Sequence, residues 1–277
     1  MARPIWTGYI SFGLVNIPVS LFAAEERNDL SLKMVDSRNN SGIRYERVNE
    51  VTGKEVPWDQ IVKGYEYKDG QFILLDDATL KSIAPEVTKS IDIENFVLAG
   101  EIAPQYFEKP YYLVPTKQSS KAYALLREAL KDSNRVAIAK VVIRTRQYVA
   151  AISAKEKALV LDLLRFHQEL RKAPEDKLPS MNLKELKISE KELELAKQLV
   201  GSMEATWKPE EYKDDFRAAL MKWIENAVKN HGTTPVHEGE EEAEEPKTEV
   251  IDMMALLKKS MEERDQAKAK PAKRKKA

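Results

Sequence analysis

The chain contains no cysteine. That absence excludes disulfides, thiolate nucleophiles and cysteine-ligated zinc. Histidine is nearly as scarce. His167, His231 and His237 are the three present, they lie far apart, and none has a partner at a metal-ligand spacing such as H-x-x-x-H. No run approaches the ~18 apolar residues of a membrane helix. Met1-Ala2-Arg3-Pro4 leads into alternating strand residues without the apolar block of a signal peptide. The Gly-rich phosphate and dinucleotide patterns and the G-x-S-x-G nucleophile elbow are also missing. The expectation is a soluble cytoplasmic protein that contacts no membrane, needs no cofactor and is not an enzyme.

Net charge is missing too, with 45 Lys+Arg against 45 Asp+Glu in 277 residues, but its distribution is uneven. Residues 1–116 sum to −5, residues 117–172 to +8, residues 173–235 to −2, residues 236–250 to −6 and residues 251–277 to +5. Strongly signed regions inside a neutral chain are what a polyanionic partner feels. With 43% apolar residues the chain has enough to build a sizeable core without covalent staples.

Residues 5–169 read mainly as strands. Trp6, Gly8, Ile10, Phe12 and Leu14 alternate with Thr7, Tyr9, Ser11, Gly13 and Val15. Asp69-Gly70 between strand formers predicts a hairpin, and Asn39-Asn40-Ser41-Gly42 and Thr52-Gly53 predict further turns. Residues 135–146, 148–152 and 159–164 read as later strands. One helix interrupts them: Ala122, Leu125, Leu126, Ala129 and Leu130 recur at helical spacing over residues 119–132, with Ser119 or Ser120 as cap. Asp76-Asp77 reads as the acidic start of a helix rather than a catalytic pair. The fold class is mixed β/α, with a barrel or sandwich core.

From Pro174 the pattern is helical. Ser189-Glu190-Lys191-Glu192 is a capping box, and a second helix is expected to open at Pro209 with a stripe of Tyr212, Phe216, Leu220, Trp223 and Ala227. The divisions expected are a core over residues 1–170, a helical arm over 171–231, an acidic linker over 232–249, an amphipathic helix over 250–265 and a disordered basic tail over 266–277.

The strongest chemical signal is positive. Lys140, Arg144 and Arg146 share parity, so one continuous strand puts them on one face, spanning roughly 20 Å and several phosphate spacings. Arg135 precedes them and Tyr148 follows. A solvated sheet face is the alternative. Lys33, Arg38, Arg44, Arg47 and Lys54 form a second set among turns, and Lys268, Lys270, Lys273, Arg274, Lys275 and Lys276 a third, in a tail that can hold any polyanion weakly. The aromatic stretch at residues 106–115 suits a base-stacking platform or a buried strand, and its lead into the helix favours the strand. Val250, Met254, Leu257 and Met261 form an apolar stripe able to dock on a partner or on the chain's own core.

Several segments together resemble the prokaryotic Ku proteins of non-homologous end joining. The most specific is Ile5-Trp6-Thr7-Gly8-Tyr9-Ile10-Ser11-Phe12-Gly13-Leu14-Val15-Asn16-Ile17-Pro18-Val19. Others are Ile43-Arg44-Tyr45-Glu46-Arg47-Val48 and Val62-Lys63-Gly64-Tyr65-Glu66-Tyr67, followed by residues 106–115, 121–130, 136–152, 189–191, 212–220 and 250–257. The resemblance runs nearly the whole chain in order. It implies a β-barrel core with an inserted arch, paired as a homodimer into a ring that encircles double-stranded DNA ends without reading sequence.

The resemblance also implies recruitment of the ATP-dependent DNA ligase D to those ends, in a bacterial, nucleoid-associated setting. It would place Lys33, Arg38, Arg44, Arg47 and Lys54 on the arch, Arg135, Lys140, Arg144 and Arg146 along a DNA cradle, and the two helices as braces of the dimer or of the pillar. Many family members carry cysteine where Asn49 stands, so no metal or redox role attaches to that position here. A rival reading from a different class is an abasic or 5′-deoxyribose-phosphate lyase acting on damaged ends through a lysine Schiff base. A general scaffold, indifferent to DNA ends, is a third.

Overall fold

The computed structural model describes residues 3–26, 30–83, 88–230 and 256–260. They form two compact units, Met1–Ala173 and Pro174–Ala277, taken separately below.

The first unit is built on a closed seven-stranded barrel. Its first hairpin pairs β1 (Trp6–Phe12) with β2 (Val15–Ala23), in register from Trp6↔Leu21 to Phe12↔Val15. Period-2 patterning decides which face turns inward: Ile10, Ile17, Val19 and Leu21 are at most 1% exposed. The chain then leaves the barrel for a long insertion. Two small loops, closed by Val35↔Gly42 and Val48↔Glu55, are followed by the hairpin of β3 (Lys63–Lys68) and β4 (Gln71–Leu75) and the short helix α1 (Asp77–Ile83). Gly70, at φ +71°, supplies the left-handed residue of the β3–β4 turn. Asp76 Oδ1 accepts from the Thr79 N–H at 2.7 Å, so the Asp76-Asp77 pair starts a helix, as expected.

The insertion rejoins the barrel at β5 (Ser90–Leu98), a strand that the sequence reading above does not pick out. β6 (Phe107–Pro115), helix α2 (Ser120–Ser133), β7 (Arg135–Ile143), β8 (Arg146–Lys155) and β9 (Ala158–Leu164) complete the unit. Strand order is β1-β2-β6-β9-β8-β7-β5, and the parallel pair β1–β5 closes the ring. At that closure the backbones crowd. A Cβ on Gly8 would lie 2.0 Å from the Lys89 carbonyl oxygen and 2.3 Å from the Trp6 ring, so only glycine fits.

Ile91, Leu113, Ile152, Leu159 and Leu161 fill the interior with the β1–β2 set. Each such burial contributes about 1.5–3 kcal/mol. α2 packs on β7 and β8 through Tyr123, Leu126 and Leu130. The Tyr123 hydroxyl donates to the Leu113 carbonyl at 2.7 Å and accepts from the Leu159 N–H at 2.6 Å, bonding the helix to two strands. Ser119 occupies the cap position of α2, yet its hydroxyl donates to the Pro18 carbonyl at 2.8 Å instead of capping the helix. The aromatic stretch at 106–115 is β6, with Tyr111 and Leu113 buried and Tyr112 on the open face.

One strand is shorter than its parity argument requires. β7 ends at Ile143; Arg144 takes φ +61° and Arg144-Thr145 form a two-residue turn before Arg146 opens β8. The twist of paired strands favours left-handed residues in such turns, and here an arginine adopts one. Lys140, Arg144 and Arg146 therefore do not line one face of a single strand.

In the second unit α3 (Glu190–Ser202) begins with the expected capping box: the Glu192 N–H donates to Ser189 Oγ and the Ser189 N–H to Glu192 Oε2. Pro209 does not open the next helix. It starts a single 3₁₀ turn, Pro209–Glu211, and α4 runs over Asp215–Lys229 because Asp214 accepts the Arg217 N–H at 2.9 Å as its cap. Tyr212 lies ahead of that helix and stacks on Trp207, ring centroids 4.8 Å apart. No described residue of this unit is buried.

Candidate nucleic-acid interface

The insertion holds the first positive set. Among its described residues, 30–83, none is buried, so it has no core of its own and displays its side chains to solvent. Its loops fix where the cations stand. The Ile43 N–H donates to the Met34 carbonyl beyond the Val35↔Gly42 bridge, so Lys33 and Arg44 flank the two arms of the first loop. In the second loop the Val56 N–H donates to the Arg47 carbonyl and the Asn49 N–H to the Lys54 carbonyl, which places Arg47 and Lys54 on its two arms. Asn49 organises the turn between them, its Oδ1 accepting from the N–H groups of Val51 and Thr52 at 3.0 and 2.9 Å.

The members of this set differ electrostatically. Arg38 forks onto Asp36, with Nη2–Oδ2 at 2.6 Å and Nε–Oδ1 at 2.9 Å. That bonding raises the guanidinium pKa and holds the Asp36 carboxyl below its ordinary range. Arg38 thus closes its own turn, with its charge offset locally. Arg47 stacks over Trp58, 4.4 Å from the ring centroid. Trp58 has no part in the sequence reading, and ten intervening residues leave no local signal that would pair it with Arg47. Lys33, Arg44 and Lys54 form no ion pair with another described residue.

The barrel cations divide. Lys140 is on the outer face of β7, its Nζ 2.7 Å from Glu94 Oε1 on β5, in a polar recess with Thr88, Ser90, Asp92 and Gln147. Arg144 stands at the tip of the β7–β8 turn. Arg146 Nη2 lies 2.7 Å from Glu169 Oε1, and its guanidinium is 5.2 Å from the Tyr148 ring centroid. These three lie toward one end of the β7–β8 hairpin, whereas Arg135 opens β7 at the other end, roughly 17 Å along the strand from Lys140 and roughly 27 Å from the turn.

Lys268, Lys270, Lys273, Arg274, Lys275 and Lys276 lie outside the described residues, as do Val250, Met254 and Met261. Leu257 is described, half-buried in a helical stretch over residues 256–260, and its neighbour Lys258 shares a recess with Lys191, Glu194 and Leu195 of α3.

Among the described residues, no three or more His, Asp or Glu side chains are grouped to hold a metal ion. No described helix is long and apolar enough to cross a membrane. The His167 ring meets the Tyr106 hydroxyl, Nδ1–OH 3.2 Å. What the described surface offers is arginine and lysine on turns and strand ends, some braced by aromatic rings. Such an array suits phosphate contacts, which position a duplex without reading its bases.

Known proteins agree with this architecture. A family model described as the Ku70/Ku80 beta-barrel domain matches residues 11–195. A protein of Coxiella burnetii is 49% identical over 267 residues, covering 96% of this chain and 97% of that one. Relatives from Opitutus terrae, at 43% identity with 98% and 96% covered, and from Pseudomonas aeruginosa, at 42% with 95% and 89% covered, match almost as completely. All three bear the name non-homologous end joining protein Ku. With its closed barrel and the insertion between β2 and β5, the chain belongs to the Ku family of non-homologous end joining proteins.

Proposed function

We propose that this chain binds double-stranded DNA ends independently of sequence, as a ring-shaped homodimer, and brings the ATP-dependent DNA ligase D to those ends. The observation that carries the reading is the end-to-end match to proteins named for non-homologous end joining. The physical features support it. An insertion with no buried residue among those described is a poor domain by itself and a good arm for reaching around a duplex. Its Lys33, Arg44, Arg47 and Lys54, with Lys140, Arg144 and Arg146 of the barrel, supply charge to phosphates rather than donors to base edges.

A second copy is supported by the apolar surface each chain exposes. In the insertion Trp58 is 71% and Leu74 68% exposed, and on α4 Phe216 is 76% exposed. Large apolar side chains left this open to solvent suit a face that a second copy covers. In this reading α3 and α4 brace the dimer, the basic tail adds weak contacts to flanking DNA, and Val250, Met254, Leu257 and Met261 face the ligase.

The test compares a linear duplex with a covalently closed circle of the same sequence. A ring that threads onto ends binds the linear form far more tightly. Equal affinity for the two defeats the reading.

A further inference from the structure

We propose that the cleft between α2 and the β1–β2 hairpin is a docking groove for an amphipathic helix of a partner protein, one that carries carboxylates beside its apolar stripe. The cleft has a volume of about 610 Å³ and is lined by Phe12, Val15, Phe96, Leu125 and Ala129, among other apolar side chains. That is within the usual range for binding pockets, about 300–1,000 Å³. Its polar lining is confined to Ser133 and Arg135 at one end. The Ser133 hydroxyl is already bonded to the Ala129 carbonyl at 2.7 Å, which leaves Arg135 as the group a ligand must satisfy. An occupant therefore needs an apolar body and a negative charge at one end of it.

Two observations select a helix. The apolar surface continues past the cleft: Leu125 is 72% exposed and Leu14, at the tip of the hairpin, is 103% exposed. A small amphiphile filling the cleft would leave Leu14 in water, whereas a helix laid across the cleft covers both. Next, β1 and β2 are each paired on both sides within the closed barrel, so no strand edge is free to bond an extended peptide. A helix satisfies its own backbone and needs only the apolar wall and the cation. Arg135 itself opens β7, roughly 17 Å along the strand from Lys140 and roughly 27 Å from the β7–β8 turn. This proposal does not depend on the DNA reading.

The probe is a fluorescein-labelled helical peptide with leucine at i, i+3, i+4 and i+7 and glutamate between, titrated into the full-length chain and followed by anisotropy. Saturable binding is expected, about tenfold weaker in Leu125→Glu and also weakened in Arg135→Gln, with little binding by the same peptide made with lysine. Leu125 is exposed, so Leu125→Glu keeps the thermal unfolding and the DNA affinity of the parent. Undiminished binding by Leu125→Glu, or equal binding of the lysine peptide, overturns the proposal. So does absence of saturable binding to the parent chain, the result expected if a second copy already fills the cleft.

Discussion

Lys140 Nζ lies 2.7 Å from Glu94 Oε1, an ion pair between neighbouring strands on the outside of the barrel, with both side chains about half exposed. A phosphate approaching Lys140 has to compete with that carboxylate. Removing the competitor therefore strengthens DNA binding. An exposed pair of this kind is worth up to about 1 kcal/mol, so Glu94→Gln should tighten binding by no more than about fivefold. The gain should appear at low salt and fade at high salt. Anisotropy titrations of a labelled duplex at two salt concentrations measure it, and an unchanged affinity removes Lys140 from the phosphate contacts.

Salt dependence also counts the contacts at the β7–β8 turn. Each phosphate neutralised on duplex DNA contributes about 0.9 to the slope of log affinity against log salt. With Lys140, Arg144 and Arg146 all replaced by alanine, the slope should flatten by up to about 2.7, and affinity should fall evenly across unrelated sequences. A loss confined to one sequence would show base readout, which this surface is not built to provide.

Those three cations mark where sequence stops predicting structure. Alternation in residues 6–15 reads directly as β1 and the start of β2, because one face of each strand is buried. The turn at Arg144-Thr145 carries none of the Gly, Asn or Asp that advertise left-handed backbone, so a chain that reverses there looks continuous. Ion pairing is hidden for another reason. Glu94 is 46 residues from Lys140 and Glu169 is 23 from Arg146, and only closure of the barrel and the turn after β9 bring them together. Capping is more local: Ser189 and Glu192 are legible as a pair, whereas Asp214 overrides Pro209 because a side-chain acceptor for an orphan N–H outweighs proline's tolerance of the first turn. Arg47 meets Trp58 only because the loop at Asn49 folds back.

The core has its own test in Tyr123, whose hydroxyl bonds both the Leu113 carbonyl and the Leu159 N–H in the interior. Tyr123→Phe keeps the ring and leaves both backbone groups dry and unpaired. Stability should fall by about 1–3 kcal/mol. Denaturant unfolding followed by far-ultraviolet circular dichroism reads the change, and a variant as stable as the parent means that water replaces the hydroxyl.

Ligase recruitment is tested at the second unit. Leu257 is half-buried in the described stretch, and Lys258 beside it borders α3. If residues 250–261 serve the ligase, Met254→Glu with Leu257→Glu abolishes stimulation of end joining while duplex binding is kept. Stimulation that survives the double substitution assigns this stretch to the chain's own packing.

Asp162 offers a pH signature. It lies on β9, opposite Pro110 and Ala151, between the buried Val160 and Leu164. Burial raises its carboxyl above the ordinary range, and Lys155 only partly offsets that. A carboxyl whose folded pKa is raised favours folding while it is protonated, below its unfolded pKa, and that advantage is lost as pH rises through the folded value. At neutral pH the ionised Asp162 therefore costs stability that Asp162→Asn does not. The variant should melt higher than the parent near neutrality, and the difference should shrink as pH falls toward the carboxylate range. Thermal unfolding of both proteins across that interval decides it: a constant difference, or a lower melting temperature for the variant at neutral pH, shows that the charge of Asp162 is satisfied in the fold.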